Sequence, residues 1–473
     1  MNAPTRVRAG VVPRAAAAGP DGGPGGGPGD VAVIGGGISG LASAHSLARA
    51  GARVTLYEAS DQFGGLGTFF RHEETFLDRF YHCLLPTDTH LLAIVRELGM
   101  GDDVYWKETL LGFFYDRVLY PLNTPFDLLR FAPATWTDRL RLGWTALYAA
   151  YLARSTHLDD ITVETWLTRL SGKRAFERLW RPLLEAKFGD AYRQIPALWY
   201  WASFNREKGT KKEVKGYIRG GYKGITDALV ASLRGRGVRL HLEAPVERLD
   251  LGPDGRPVLR VRGTDRTFDR VVVTVPFALL ERMVADGAVA PWLSRIHHKI
   301  DYQGVVNVLV ILRRPLTRFY WIPVVRCGVP FQGIVETTRI IDPSDIGGRH
   351  LVYLLNYVHR THPLFSRDPE EVKEEYVRAL LDLFPDVRAA DIRDAFVFKA
   401  PFVEPLYTPG YGKRKPPPEL VPGRVYLATT TQVYPHVTSW NSSTAVAERT
   451  VQVLLERARA VALPEPAAAE ATR

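Results

Sequence analysis

Residues 31–40 read VAVIGGGISG, and no other stretch constrains the chain as tightly. Residues 31–34 are a short apolar run rich in β-branched side chains, as in a parallel strand buried on both faces. Gly35, Gly37 and Gly40 follow at once in GxGxxG spacing. Residues 41–49 read as a helix that Gly51 stops, and 53–57 (RVTLY) as a second strand ended by Glu58. The order is strand, glycine turn, helix, strand, acid. Gly35 permits the tight turn, Gly37 lets the backbone approach a pyrophosphate, and Gly40 lets the helix pack close to the strand. Free N–H groups at the helix start, around Ile38 and Ser39, would face the phosphates. Glu58 is placed to accept hydrogen bonds from a ribose 2′-OH.

A second glycine cluster follows within one loop of the acid. Asp61-Gln-Phe-Gly64-Gly65-Leu66-Gly67 could approach the pyrophosphate from its other side. This pattern resembles the start of the flavin-dependent amine oxidase superfamily, which includes protoporphyrinogen oxidases, phytoene desaturases and UDP-galactopyranose mutases. The resemblance runs from Val31 to about Arg449 and implies FAD rather than NAD. Arg219-Gly220-Gly221-Tyr222 resembles the family's glycine pair before a helix. The run from Leu240 to Val246 resembles the strand whose valine backbone holds the adenine. Residues 268–276 resemble the usual return strand. The run from Tyr426 through Gln432 and Ser439 to Asn441 resembles the segment lining the flavin ring. Two positions depart from the family pattern. Phe63 and Leu66 flank the glycine pair where a basic residue is frequent, and Ala428-Thr429 replace a glycine and an acid that meets the ribityl chain.

The implied fold class is α/β, with a Rossmann-like, glutathione-reductase-like FAD-binding domain on a parallel sheet and an inserted α+β substrate domain. The cofactor domain is expected in three pieces, 30–100, 215–290 and 405–460. The inserts 101–214 and 291–404 would form the substrate domain. The first insert reads mostly helical (125–131, 136–153, 163–170, 175–184). The second reads as strands 305–312 and 350–357 and a helix 370–383, giving an antiparallel sheet covered by helices. No second GxGxxG follows a strand, so no separate nicotinamide domain is expected.

A chain of 473 residues, 46% hydrophobic, can bury a large core and hold two domains. Residues 1–29, with three arginines, an alanine run and a Pro/Gly-rich stretch, read as disordered, and 461–473 as a loose tail. Cys83 and Cys327 are the only cysteines and form no CxxC pattern. That argues against a disulfide framework, a zinc site or a thioredoxin motif, and a reduced, cytoplasmic setting is the simplest reading. No metal site is expected. No apolar stretch reaches transmembrane length. The most apolar helical run, 144–153, is expected in the core of the second domain. Contact with a membrane periphery stays open, because some members of the resembled family act on lipid-soluble substrates.

The net charge of +10 comes without any nucleic-acid motif, so no nucleic-acid partner is expected. The main basic patch includes Arg206, Lys208, Lys211, Lys212, Lys215, Arg219 and Lys223. It reads as a solvated loop, or as a mouth that steers an anionic small molecule such as a sugar nucleotide, a carboxylate or a lipid-linked phosphate. The oligomeric state is not legible.

The segment DRFYHCLLPTD, 78–88, follows the flavin motifs and resembles a stretch placed beside the flavin. His82 is there either a proton carrier or a structural histidine satisfied by a carbonyl, and Tyr81 is the second candidate. Aromatic residues such as Trp199, Tyr200, Trp201, Tyr320 and Tyr434 would mostly be core, with two or three walling a substrate. The strand expected to pass the flavin, 304–311, lacks the lysine usual in amine oxidases and carries Asn307.

The resulting expectation is an FAD-dependent oxidoreductase that moves a hydride from a C–H or C–N bond of a small substrate to flavin N5. The alternative is a redox-neutral sugar-nucleotide mutase. Residues 185–196 and 331–336 resemble mutase segments, but Asp190 stands where the mutases use a diphosphate-binding arginine, and a negative charge there is unfavourable.

Overall fold

A computed structural model describes residues 28–152, 157–206, 213–296 and 300–462. It is a mixed α/β fold built on two large sheets. The first has six strands in the order Glu419–Val421, Val425–Leu427, Arg270–Val273, Asp30–Ile34, Arg53–Tyr57, Arg239–His241. Every neighbouring pair is parallel except the first. The central strand Asp30–Ile34 is apolar because both its faces are covered. Val31 and Val33 pack on one side with Leu41, Leu47, Leu229 and Leu454, from helices Ile38–Arg49, Gly221–Gly235 and Trp440–Ala462. Ala32 and Ile34 pack on the other with Leu249, Leu259 and Val261. Those come from a three-stranded antiparallel sheet, Val246–Leu251, Pro257–Val261 and Thr264–Thr267, giving three layers.

The second sheet has seven strands in the order Ile392–Leu406, Asp301–Leu312, His350–His359, Gly333–Glu336, Trp321–Val325, Gly112–Tyr115, Val118–Pro121. It is antiparallel except where Trp321–Val325 runs parallel to Gly112–Tyr115. Strand Asp301–Leu312 alternates its side chains between two cores. Val306, Val308, Val310 and Leu312 pack with Val372, Tyr376 and Leu380 of helix Pro369–Leu383. Val305, Leu309 and Ile311 face the other way, into the core that also holds Ile38, Phe63, Tyr222 and Trp440. That second face is turned toward the glycine loops.

The first insert is mostly helical, as expected, and its strands Gly112–Tyr115 and Val118–Pro121 extend the second sheet. Three expectations are corrected. The run from Leu240 to Val246 is not one strand: Arg239–His241 ends the parallel sheet, and Val246 opens the three-stranded sheet. The apolar run 144–153 does not form a core helix. Helix Trp136–Leu147 is followed by a wider π turn, Tyr148–Leu152, and Trp144, Leu147 and Tyr151 are exposed. Helical periodicity identified the element; it could not tell an apolar face turned inward from one turned outward. In the basic patch, Lys215 is buried in strand Val214–Ile218 and paired with Glu213 at 3.0 Å rather than solvated. Lys208, Lys211 and Lys212 lie outside the described residues, as do 1–27 and 463–473.

Candidate cofactor and substrate site

The two glycine loops meet. The Gly64 N–H donates to the Gly36 carbonyl at 2.9 Å, and Gly37 and Gly64 form an isolated parallel bridge. A Cβ on Gly65 would come within 3.1 Å of Gly37 Cα, and Gly65 has φ +60°, so a side chain at Gly65 would be crowded and strained. Gly35 has φ +103°, and its N–H donates to Tyr57 O at 2.8 Å. Gly40 sits so close beneath it that a Cβ would lie 1.8 Å from Gly35 O. Gly37 caps helix Ile38–Arg49 without a side-chain acceptor, so the first N–H groups of that helix are open to an anion. Ile38 turns its own side chain into the core, and Ser39 Oγ donates to Ala428 O at 2.6 Å. That contact ties the glycine helix to the C-terminal segment.

Glu58 is aimed by its neighbours. Its Oε2 accepts from the Gly36 N–H at 2.6 Å, and its Oε1 from the N–H and hydroxyl of Ser60, both at 2.8 Å. Its carbonyl accepts the Ala244 N–H at 2.8 Å, which brings the start of the Val246 strand beside the acid. A bare-backbone cradle, an uncapped helix start and an oriented carboxylate fit the pyrophosphate and ribose of FAD.

Beyond Gly67 the chain converges on aromatic residues. A Cβ on Gly67 would lie 2.1 Å from Trp440 Cζ2. Trp440 meets Tyr222 edge-on at 4.7 Å between centroids, and Tyr222 lies tilted against His82 at 4.6 Å. His82 Nδ1 lies 2.9 Å from Phe80 O. A carbonyl only accepts, so Nδ1 carries the proton and Nε2 the lone pair. Burial pulls the imidazole down to about 4, against the opposing pull of that carbonyl. Four residues before His82, burial pushes Asp78 up to about 7, although Tyr217 donates to its Oδ2 at 2.6 Å.

Gln432, Ser439 and Asn441 hold the C-terminal segment together. Gln432 Oε1 accepts the Thr429 N–H at 2.8 Å, and its Nε2 donates to Pro417 O at 3.2 Å. Ser439 exchanges hydrogen bonds with Ser442 at the start of helix Trp440–Ala462. Asn441 Oδ1 accepts from the N–H groups of His90 and Leu91 at 2.9 and 3.0 Å. It therefore caps helix Thr89–Glu97, whose own cap residue Asp88 makes no side-chain capping bond. Asn441→Ala is expected to destabilise the fold by about 1 kcal/mol. A lowered melting temperature with flavin content unchanged is the expected result; unchanged melting with flavin lost would make Asn441 a cofactor residue instead.

The face of the second sheet turned toward the cradle carries a polar cluster. The hydroxyls of Tyr81 and Tyr357 share a hydrogen bond at 3.1 Å. Lys187 Nζ lies 3.4 Å from Glu404 Oε2, 4.9 Å from the Trp199 ring centroid and 5.8 Å from that of Tyr357. Gln303 pairs directly across the sheet with Glu404. Asn307 Nδ2 donates to Arg79 O at 2.7 Å. Both amide atoms of Gln303, Asn307 Oδ1 and Glu404 Oε1 are buried without a hydrogen-bond partner. Burial raises the Tyr81 and Tyr357 hydroxyls further above their ordinary range, so both stay protonated. Sequence reading passed over Glu404, Gln303 and Tyr357. The available signal was a polar residue inside an apolar strand, as in DYQGVVNVLVIL, but its partners, such as Glu404 for Gln303 and Arg79 for Asn307, lie far away in sequence. Glu336, in a segment resembling the mutases, is buried and already bonded to Arg339 and the Leu316 and Thr317 N–H groups.

A family model described as flavin-containing amine oxidoreductase matches residues 38–447. The flavin-containing amine oxidase of Oncorhynchus mykiss is 22% identical over 61% of this chain and 58% of its own length. The putrescine oxidase of Kocuria rosea is 26% identical over 74% of this chain and 78% of its own. Among solved structures, a protein from Exiguobacterium sp. assigned as a protoporphyrinogen oxidase superposes with TM-score 0.72 at 17% identity, over 90% of this chain and 98% of its own. The chain belongs to the flavin-containing amine oxidoreductase family, whose cofactor is FAD.

Proposed function

We propose that the chain oxidises a small molecule held between the Tyr81–Tyr357–Glu404 cluster and the glycine cradle, by loss of a hydride from a C–H bond, including one on a carbon bearing nitrogen. The parallel sheet with its glycine loops is the Rossmann-like FAD domain on this reading. The seven-stranded sheet with the helices around Trp166 and Trp199 is the substrate domain. FAD, when bound, supplies the hydride acceptor; the protein supplies position and electrostatics.

The observation that carries this reading is the set of unpartnered buried polar atoms on Gln303, Asn307 and Glu404. Each such atom costs roughly 1–3 kcal/mol if nothing meets it. Their place on the cradle-facing side of the sheet suits a ligand with hydrogen-bond donors and acceptors. Lys187 neutralises Glu404 at one oxygen and leaves the other to accept an N–H or O–H from the substrate. Trp199 and Tyr357 offer ring faces that suit a cationic or apolar group. His82, neutral at pH 7, is an uncharged wall and hydrogen-bond acceptor rather than a proton carrier. Tyr81 holds the Tyr357 hydroxyl in place.

The test is an anaerobic visible spectrum of the purified holoprotein, challenged with amines, porphyrinogens, sugar nucleotides and polyprenyl phosphates. The expected result is that one compound bleaches the oxidised-flavin band without added reductant. Turnover seen only after prior reduction, with no net electron transfer, would replace this reading with the mutase.

A further inference from the structure

Helix Trp136–Leu147 carries an apolar stripe on its outer face. Trp136, Leu140, Trp144 and Leu147 follow at spacings of four, four and three, which places them along one side of a helix. All four are between 50% and 67% exposed. Tyr151 in the following turn is exposed as well, as are Phe126 and Leu129 of the neighbouring helix Pro125–Arg130. The opposite side of the stripe helix is anchored: Asp138, Leu142 and Thr145 are buried, and Leu142 joins the core around Trp166 and Trp199. Soluble surfaces seldom carry apolar side chains of this size in a continuous row.

The charges around the stripe are of one sign at the surface. Arg130 lies over the Phe126 ring at 4.1 Å, and Arg139 over the Trp136 ring at 5.2 Å. Arg130, Arg139 and Arg141 form no ion pair among the described residues. The two acids of these helices are turned inward to the backbone. Asp127 closes the capping box of helix Pro125–Arg130, and Asp138 closes that of the stripe helix while pairing with Arg174. Aromatic rings with guanidinium groups at their rim match the boundary between acyl chains and anionic headgroups.

The geometry points to this face as a membrane-binding surface, seated on the headgroup region of an anionic bilayer. Tryptophan and leucine side chains enter the acyl boundary, and Arg130 and Arg141 meet lipid phosphates, while Arg139 is held by the carbonyls of Leu129, Phe131 and Ala134. No helix among the described residues is long and apolar enough to cross a bilayer, so the contact lies on the membrane rather than through it. A convex helical row suits a deformable lipid surface better than a preformed protein groove.

The test is co-sedimentation of the full-length holoprotein with vesicles of phosphatidylcholine alone and of phosphatidylcholine mixed with phosphatidylglycerol. The wild type is expected to partition onto the anionic vesicles and to be partly released by salt. The triple variant Trp136→Ser, Leu140→Ser, Trp144→Ser is expected to bind about tenfold or more weakly, since each side chain loses its apolar transfer. Because these residues are exposed, flavin content and melting should stay as in the wild type. Arg130→Gln with Arg141→Gln should weaken binding and flatten the salt dependence. A wild type that stays in solution with both vesicles overturns the proposal, as does a triple variant that binds equally well. So does a concentration-dependent dimer that the triple variant abolishes, which would assign the face to a second copy.

Discussion

Gly40→Ala is expected to strip the flavin from the protein. The new Cβ would stand 1.8 Å from Gly35 O and 3.0 Å from Thr274 Oγ1. The first of these is backbone and cannot rotate away, so the helix or the glycine turn must move. Gly35 already uses a left-handed backbone, and Thr274 Oγ1 donates to Ile34 O at 2.8 Å, so the strand end has little room. Overpacking of this kind costs about 1–3 kcal/mol, and most of it would fall on FAD affinity, a loss of roughly 10- to 100-fold. Gly235→Ala is the control, because nothing lies within 4 Å of its Cβ position at the end of its helix. The measurement is the ratio of flavin to protein absorbance after purification. Stoichiometric flavin in Gly40→Ala would remove the cradle from the account of cofactor binding.

Asp78→Asn is expected to change how stability depends on pH. Burial raises the folded-state carboxyl to about 7, while an unfolded aspartate titrates near about 3.9. Between those values the folded state holds the extra proton, so the wild type loses stability as pH rises through this window. Ionising Asp78 in place costs up to ~4 kcal/mol, an order-of-magnitude figure for a fully buried group. His82 slopes the other way. Its folded value is depressed to about 4, so its contribution is present above about 6.5 and lost as pH falls toward 4. In the wild type the two slopes oppose each other between pH 4 and 6.5. Asparagine keeps an acceptor for Tyr217 and removes one slope. The difference in melting temperature, variant minus wild type, should therefore grow from about pH 4 to 7 and then level off. A difference that stays constant with pH would mean that Asp78 is ionised throughout.

The strand, glycine turn, helix and second strand at residues 30–57 were legible in the sequence because their determinants are local. A glycine turn between a β-branched run and a helix has one compatible geometry, and Gly35, Gly40 and Glu58 lie within 24 residues of one another. The second cluster, Gly64 to Gly67, was readable for the same reason. Only tertiary structure showed what Asn441 does, since it caps a helix 350 residues away. The same holds for the polar cluster. Lys187, Gln303, Tyr357 and Glu404 come from separate elements, and no spacing in the chain announces that they meet. The direction of the helix stripe 136–147 was also undecided. Periodicity specifies that apolar residues share a face, but whether that face meets a core or the outside depends on which other elements pack against the helix. Sequence alone thus determined the glycine turn and the acid beside it, because short-range backbone sterics dictate that geometry. The substrate face and the outward stripe were decided by the packing of distant segments, which a local pattern does not encode.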